Sequence, residues 1–505
     1  MLIERRAEAS QHPRADGFTA RTVEIFRSFD IGADIVPETA PSFKTKRTRV
    51  MSLSGQWFEE LAWNEEEKSE PATAPTQPEY SPYLGSSIPQ DKLEPILIQR
   101  AIELGVDVRM GHELIGLAQN SNSVTTTIRN NENGLVYLIE TPYLVAADGH
   151  GSAVREILEI PRRGHGPVNS IQSVLFRAPE LSPYLKRGFK QFTIDQPELR
   201  AFMIAYQDER LVLHLPNDRE WTNDSIEKAV LQSVGPEKVT LEILATSRWD
   251  MSAWIANDFI KGRVFLVGDA AHSLPPNRGG YGANTGIADG HNLAWKLAHV
   301  LHGMSSDKLL MSYQHERLPV AWLRHHQIFA RSDYKTLQRE PSLKNGSGGE
   351  QEALPDAAVE FGQIYRSDAV IGADKSLPDA LLPELWNGQP GTRLPHCWIQ
   401  HDGEKISTIQ LHSGGWRVLS EDSEWAGIVQ KVQLELGTQG KFIHVQQSAD
   451  QNFNFGKVFG VSGRGCVLVR PDCYIAWRLV DVGVESDSKA RLEEAWKAVL
   501  CWRQN

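Results

Sequence analysis

The apolar positions of this chain change period along its length, and each change predicts an element. It opens on Met1-Leu2-Ile3, a strand-like start closed by Glu4-Arg5-Arg6. Ala20, Val23, Ile25, Phe26 and Phe29 then recur at helical spacing. Short alternating stretches between residues 42 and 60 predict strands, and the polar, proline-rich interval 65–89 predicts a surface loop or lid. Leu93, Ile96, Leu97, Ala101 and Leu104 share one face of a helix over residues 90–104, with Pro95 expected in its first turn. Residues 106–110 read as a strand, and 123–128 with 135–140 read as an antiparallel hairpin around an Asn- and Gly-containing turn. Alternating runs at 170–176, 200–206 and 210–215 predict a β-rich module within 165–250.

Two apolar runs end in an acid. The first is Tyr143-Leu144-Val145-Ala146-Ala147-Asp148-Gly149, which taken alone reads as a strand and an ordinary turn. The second is Arg263-Val264-Phe265-Leu266-Val267-Gly268-Asp269, followed by Pro275, Pro276, Gly279, Gly280, Gly282, Asn284, Thr285 and Gly286. Ile287, Leu293, Ala294, Leu297, Ala298 and Leu301 continue it as an amphipathic helix expected to start near Thr285. Open α/β sheets bind ligands at the carboxyl ends of their strands. A helix amino terminus adds free N–H groups and a partial positive charge. Asp269 can accept hydrogen bonds from a ribose or ribityl hydroxyl, and the glycines let backbone approach a flat ligand. The bland alternative for Asp269 is a simple helix cap. His272 reads as a packed, hydrogen-bonded histidine, His325 and His326 as solvent-facing, and Trp249, Trp254 and Trp295 as core.

Composition narrows the class. The 505 residues carry 53 basic and 64 acidic side chains, a net charge of −11 that argues against nucleic acid as partner. The length predicts several domains. Four cysteines, Cys397, Cys466, Cys473 and Cys501, form neither a disulfide framework nor a CxxC pair, so a reducing, cytoplasmic setting is expected. No run approaches the roughly 20 apolar residues of a transmembrane helix. No metal cluster, nucleophile triad or Walker loop is legible, which leaves an enzyme, a scaffold or a binding protein open.

Residues 268–298, from Gly268-Asp269-Ala270-Ala271-His272 to Trp295-Lys296-Leu297-Ala298, resemble the second FAD-binding motif of class A flavoprotein aromatic hydroxylases. Ala147-Asp148-Gly149-His150-Gly151-Ser152-Ala153-Val154-Arg155 is similar to that family's Asp-Gly motif. Pro13-Arg14 with residues 17–26 resembles the loop and helix after its second strand, and residues 88–94 resemble the segment whose glutamine, here Gln90, contacts FAD. Residues 467–472 with 475–478 are similar to the last strands of the thioredoxin-like domain in the phenol hydroxylase branch. Members begin with a strand, a GxGxxG turn and a helix. This sequence opens at their second strand, with Glu4 matching the ribose-binding acid, so the resemblance implies a first βα unit of roughly thirty residues missing. Either the start is incorrect or FAD is bound poorly.

The resemblance implies an α/β architecture: a Rossmann-like FAD domain (1–165 and 250–330), a β-rich substrate domain (165–250), a helical or linker segment (331–389) that includes the Gly- and Ser-rich 345–349, and a thioredoxin-like domain (390–505). It implies FAD held by Glu4, Arg14, Gln90, Asp148, Gly149, Asp269, Gly282 and Asn284, with Pro275, Pro276 and Asn277 beside the flavin. NADPH or NADH and O2 would be co-substrates for hydroxylation of a phenolic or polyketide-like ring, in secondary metabolism or aromatic catabolism. The oxygen chemistry belongs to the flavin, so no catalytic side chain is named. Baeyer–Villiger oxidation, epoxidation and an FAD-deficient remnant stay open as alternatives, as does pairing of the chain with itself.

Overall fold

In the computed structural model, which describes residues 1–35, 46–61, 79–276, 280–331, 352–401, 403–411, 414–446, 453–482 and 487–503, each change of sequence period returns as an element. Strand β1 (Leu2–Glu4) precedes helix α1 (Ala20–Arg27), whose amino end is capped by the Thr19 hydroxyl accepting from Thr22 N. Strands β2 (Lys46–Val50) and β3 (Trp57–Leu61) follow, then helix α2 (Gln90–Glu103) and β4 (Val108–Met110). Pro95 lies inside α2 and not in its first turn. It is exposed, so the one backbone bond it forfeits is lost on a face open to water.

A three-stranded antiparallel meander comprises β5 (His112–Gln119), β6 (Val124–Asn130) and β7 (Val136–Thr141). The sequence shows only the β6–β7 hairpin, because a bulge between Leu114 and Gly116 breaks the alternation of β5. Next come β8 (Leu144–Ala146), α3 (Ala153–Ile157), β9 (Arg162–Arg177), β10 (Phe189–Asp195), β11 (Arg200–Ala205), β12 (Arg210–Pro216), α4 (Asn223–Val234) and β13 (Glu242–Ala256). They are followed by β14 (Ile260–Lys261), β15 (Val264–Leu266), β16 (His272–Ser273) and the long helices α5 (Tyr281–Leu301) and α6 (Lys308–Ala330). The carboxyl-terminal part holds β17 (Trp416–Ser420), α7 (Trp425–Leu436), β18 (Gly440–His444), β19 (Cys466–Val469), β20 (Ile475–Leu479) and α8 (Ser488–Val499).

The result is a mixed α/β fold around an eight-stranded sheet of order β16-β13-β9-β12-β11-β10-β2-β3. That sheet reaches beyond residues 165–250, since β2 and β3 join it through a parallel β10–β2 pair that no local pattern announces. Two further sheets are parallel at their centres, β1 with β4 and β8 with β15. The fourth runs β18-β17-β19-β20. The rear of the large sheet is apolar: Val174, Phe176, Phe192, Met203, Leu211, Leu213 and Leu215 pack on Ile226, Val230 and Val234 of α4. Each such side chain contributes roughly 1.5–3 kcal/mol by leaving water. Helix α4 starts on a capping box between Thr222 and Ser225.

Some expectations change. His325 is buried, tilted against Phe329 at 5.0 Å and accepting from His165 N, and burial pushes its pKa down to about 3; only His326 is exposed. The apolar face of α6 is wide enough to enclose it. Trp249 is half-buried on the large sheet, whereas Trp295 is core. All four cysteines are free thiols. Among the described residues no helix is long and apolar enough to cross a membrane. Residues 65–78 of the expected loop, Asn277 and residues 345–349 lie outside the described residues.

Candidate functional site

Two turns meet at the carboxyl ends of β8 and β15. These strands are parallel, with Ala146 opposite Leu266, so the chain delivers Asp148 and Asp269 to one edge of the sheet. Asp148 accepts from Val154 N at 3.0 Å, and Gly149 follows at φ +84° with open space where a Cβ would be. The buried Arg155 laces the turns together by donating to the carbonyls of Ala270 and His150, 3.2 Å each. Asp269 is exposed to solvent, yet the surrounding protein pushes its carboxyl pKa up against the pull of His272, His150 and Arg14. The acid is thus accessible to solvent although protein surrounds it.

Helix α5 forms the next wall. It begins at Tyr281 rather than near Thr285, because Gly280 adopts the left-handed φ of +56° that turns the chain into it. Among the described residues no side-chain cap bond is made at this end, and the helix start carries a partial positive charge. Gly286 touches the Asp269 turn directly: a Cβ there would come within 2.9 Å of Gly268 Cα. Gly268 N also donates to Asp289 Oδ2 at 3.1 Å, and the same carboxylate bonds His272 Nε2 at 2.6 Å and Arg317 Nε at 2.7 Å. Burial disfavours the Asp289 charge, but Arg317 and His272 outweigh it and hold the pKa below the usual carboxylate range. Asp289 therefore locks the turn to α5, and its one sequence signal is an acid within an otherwise apolar helical stripe.

The other expected ligand residues fall into different environments. Arg14 is exposed and acts on Asp269 electrostatically. Gln90 opens α2 next to the Arg14 loop, with its N–H on Ala15 O at 2.8 Å and its side chain on Glu94. Gly282 lies in the first turn of α5, and a Cβ there would meet only Leu274 O, at 3.8 Å. Asn284 is buried with its amide fully engaged: it accepts from Thr19 N and Thr22 Oγ1 and donates to the Gly17 and Gly280 carbonyls. These bonds tie the start of α5 to the segment 17–22. Pro275 is buried and Pro276 exposed. Glu4 ends β1 half-buried and accepts from Arg6 N at 2.8 Å.

The front of the large sheet carries aromatic side chains. Side chains alternate across a strand, so with Leu211, Leu213 and Leu215 at the rear, Arg210, Val212 and His214 face forward. Phe202 of β11 and Ser173 of β9 share that face, since both pair with His214. The forward face meets the Arg14 loop: Tyr206 donates to Pro13 O at 2.6 Å, and Arg210 pairs with Asp91 at 2.8 Å. The Phe202 and His214 rings stack at 6.2 Å, and Trp249 meets His214 edge-on at 6.2 Å.

Acids at the ends of two adjacent parallel strands, a helix opened by Gly280 and an aromatic face on the large sheet make up the candidate site. The chain belongs to the FAD-dependent aromatic-ring hydroxylases: residues 1–327 match the FAD binding domain family and residues 387–501 the aromatic-ring hydroxylase carboxyl-terminal family. It is 32% identical over 500 residues to tetracenomycin B2 monooxygenase-dioxygenase of Streptomyces olivaceus, covering 95% of this chain and 90% of that protein. It is 33% identical to 4-methyl-5-nitrocatechol 5-monooxygenase of a Burkholderia species, covering 99% of this chain and 93% of that protein. The solved ternary complex of aklavinone-11 hydroxylase with FAD and aklavinone superposes with a TM-score of 0.83 at 28% identity, covering 99% of this chain and 94% of that one. The protein is an FAD-dependent monooxygenase. Its residues are compatible with a flavin: a helix α5 opened by Gly280, a solvent-accessible acid at Asp269, and space where a Cβ would be at Gly149 and Gly282.

Proposed function

We propose that this chain hydroxylates a phenolic or polyketide-like aromatic ring, using NADPH or NADH and O2. The observation that carries the reading is the Arg14 loop joining the two halves: Arg14 acts on the Asp269 carboxyl, and Pro13 O accepts from Tyr206 on the aromatic face of the large sheet. FAD, when bound, supplies the redox and oxygen chemistry. The chain's own residues bind and orient. Residues 1–165 and 250–330 form a Rossmann-like FAD domain in which Asp269 receives ribityl hydroxyls and the α5 terminus favours negative charge on the ring. Asp148 and Gly149 serve the pyrophosphate side, Glu4 a ribose, and Arg14 with Gln90 cover the ring edge. Pro275 and Pro276 border the reacting carbon without offering N–H groups. Asn284 acts as a positioning residue for the segment 17–19. Residues 165–250 carry the substrate wall, 331–389 link, and 390–505 form a thioredoxin-like domain.

The test is direct. Purified protein incubated with FAD is expected to hold a yellow chromophore, to oxidise NADPH faster when a polyhydroxylated aromatic is added, and to place one atom of labelled O2 in the product. Protein that stays colourless with FAD, or that oxidises NADPH without oxygen entering any ring, overturns the reading. Asp269→Ala is expected to weaken flavin retention at least tenfold, since it removes a charge-assisted acceptor; equilibrium dialysis against FAD measures it.

A further inference from the structure

We propose that His214, held as its Nε2–H tautomer by Trp249 and Ser173, is the donor that orients substrate, recognising a carbonyl oxygen conjugated to a flat aromatic ring. The inference rests on the aromatic hydroxylase reading above.

The hydrogen bonds fix the tautomer. An indole N–H only donates, so Ser173 Oγ accepts from Trp249 Nε1 at 2.8 Å. Ser173 is fully buried, and its hydroxyl has one further partner, His214 Nδ1 at 2.8 Å. The serine proton therefore goes to Nδ1, which acts as acceptor. Burial, assisted by His12, lowers the His214 pKa to about 4, so the ring is neutral and its single proton lies on Nε2. Among the described residues Nε2 has no hydrogen-bond partner, and it is not closed off from solvent. Phe202 stacked at 14° and Trp249 at 80° hold the ring in place. A fixed donor within an aromatic wall selects a planar ligand carrying an acceptor, and a buried-edge polar group rejects the analogue that lacks it. Trp249 and Ser173 are positioning residues that act through His214.

The experiment compares two probes of one shape, 1-hydroxyanthraquinone, which has ring carbonyls, and 1-hydroxyanthracene, which has none. Binding to FAD-loaded protein is read from flavin absorbance. The wild type is expected to hold the quinone roughly tenfold more tightly. His214→Phe keeps a ring on Phe202 and is expected to abolish that preference while leaving hydroxyanthracene binding unchanged; His214→Gln restores part of it. In ¹⁵N-histidine spectra the wild type should show an unprotonated Nδ1 at His214, and Trp249→Phe or Ser173→Ala should mix the tautomers. A His214→Phe or His214→Gln protein with the full wild-type preference, or a protonated Nδ1 in the wild type, overturns this inference alone. A folded wild type that binds neither probe overturns the aromatic reading with it.

Discussion

Replacing Glu316 with alanine is expected to destabilise the fold by about 3–5 kcal/mol, because it takes the ion-pair partner from buried Lys296 and leaves buried Arg470 with Asp472 alone. Glu316 on α6 takes a two-pronged contact from Arg470, at 2.6 and 2.8 Å, and a third from Lys296 of α5 at 2.8 Å. Ser367 and Asn292 supply the remaining donors, at 2.6 and 2.7 Å. Arg470 also holds Asp472 at 2.5 Å, and all four charged side chains are buried. Burial opposes the Glu316 carboxylate, yet Arg470 and then Lys296 win and hold its pKa far below normal. Asp289 and Glu24 are lowered in the same way. Carboxyls lowered on folding contribute stability that is complete above their unfolded pKa of about 4 and is lost as pH falls through the folded values. The wild type should therefore lose stability progressively below about pH 4–5, and Glu316→Ala should flatten that decline. Urea unfolding midpoints across an acid series measure both, and a variant with the wild-type midpoint and acid slope refutes the account.

Gly286→Val should separate flavin retention from general folding. A Cβ at this position meets Gly268 Cα, a backbone atom that no rotamer change can move aside. The helix and the Asp269 turn must part, at a cost of about 1–3 kcal/mol in stability. The larger effect falls on the ligand, since shifting a positioning element by about 1 Å can cost about a hundredfold. The expected result is a folded, largely colourless protein that reaches saturation only at far higher FAD. Gly290→Val is the control, because a Cβ there meets nothing within 4 Å. Equal flavin content in the two variants would show that close approach at Gly286 is irrelevant to the site.

The strand-end half of the site was legible because it is local. A buried strand, an acid and a glycine-rich turn are consecutive in sequence, so Asp148, Asp269 and the helix after them could be read without knowing what lay near them. Helix α5 starts one turn before the sequence pattern implies, since Gly280 and Gly282 have the composition of a loop while Gly280 forms a left-handed cap. The aromatic wall was invisible for the opposite reason. Phe202, Ser173, His214 and Trp249 come from four strands and converge only through sheet pairing, with Ser173 and Trp249 lying 76 residues apart. Asp289, Glu316 and Arg470 were hidden likewise, as a buried ion pair leaves no periodic trace in either partner. Adjacency of two histidines implies only that they diverge, so nothing local marks His325 as the one that turns inward.

The contact between Glu316 and Arg470 crosses from α6 to the loop after β19. Severing the chain near residue 390 would thus strip both Glu316 and Lys296 of their neighbour and leave Asp289's helix unsupported on that side. The carboxyl-terminal region is a keystone rather than an accessory, and the enzyme should melt in one transition instead of shedding its parts in turn. Swapping this region between related hydroxylases would transplant stability before it altered selectivity.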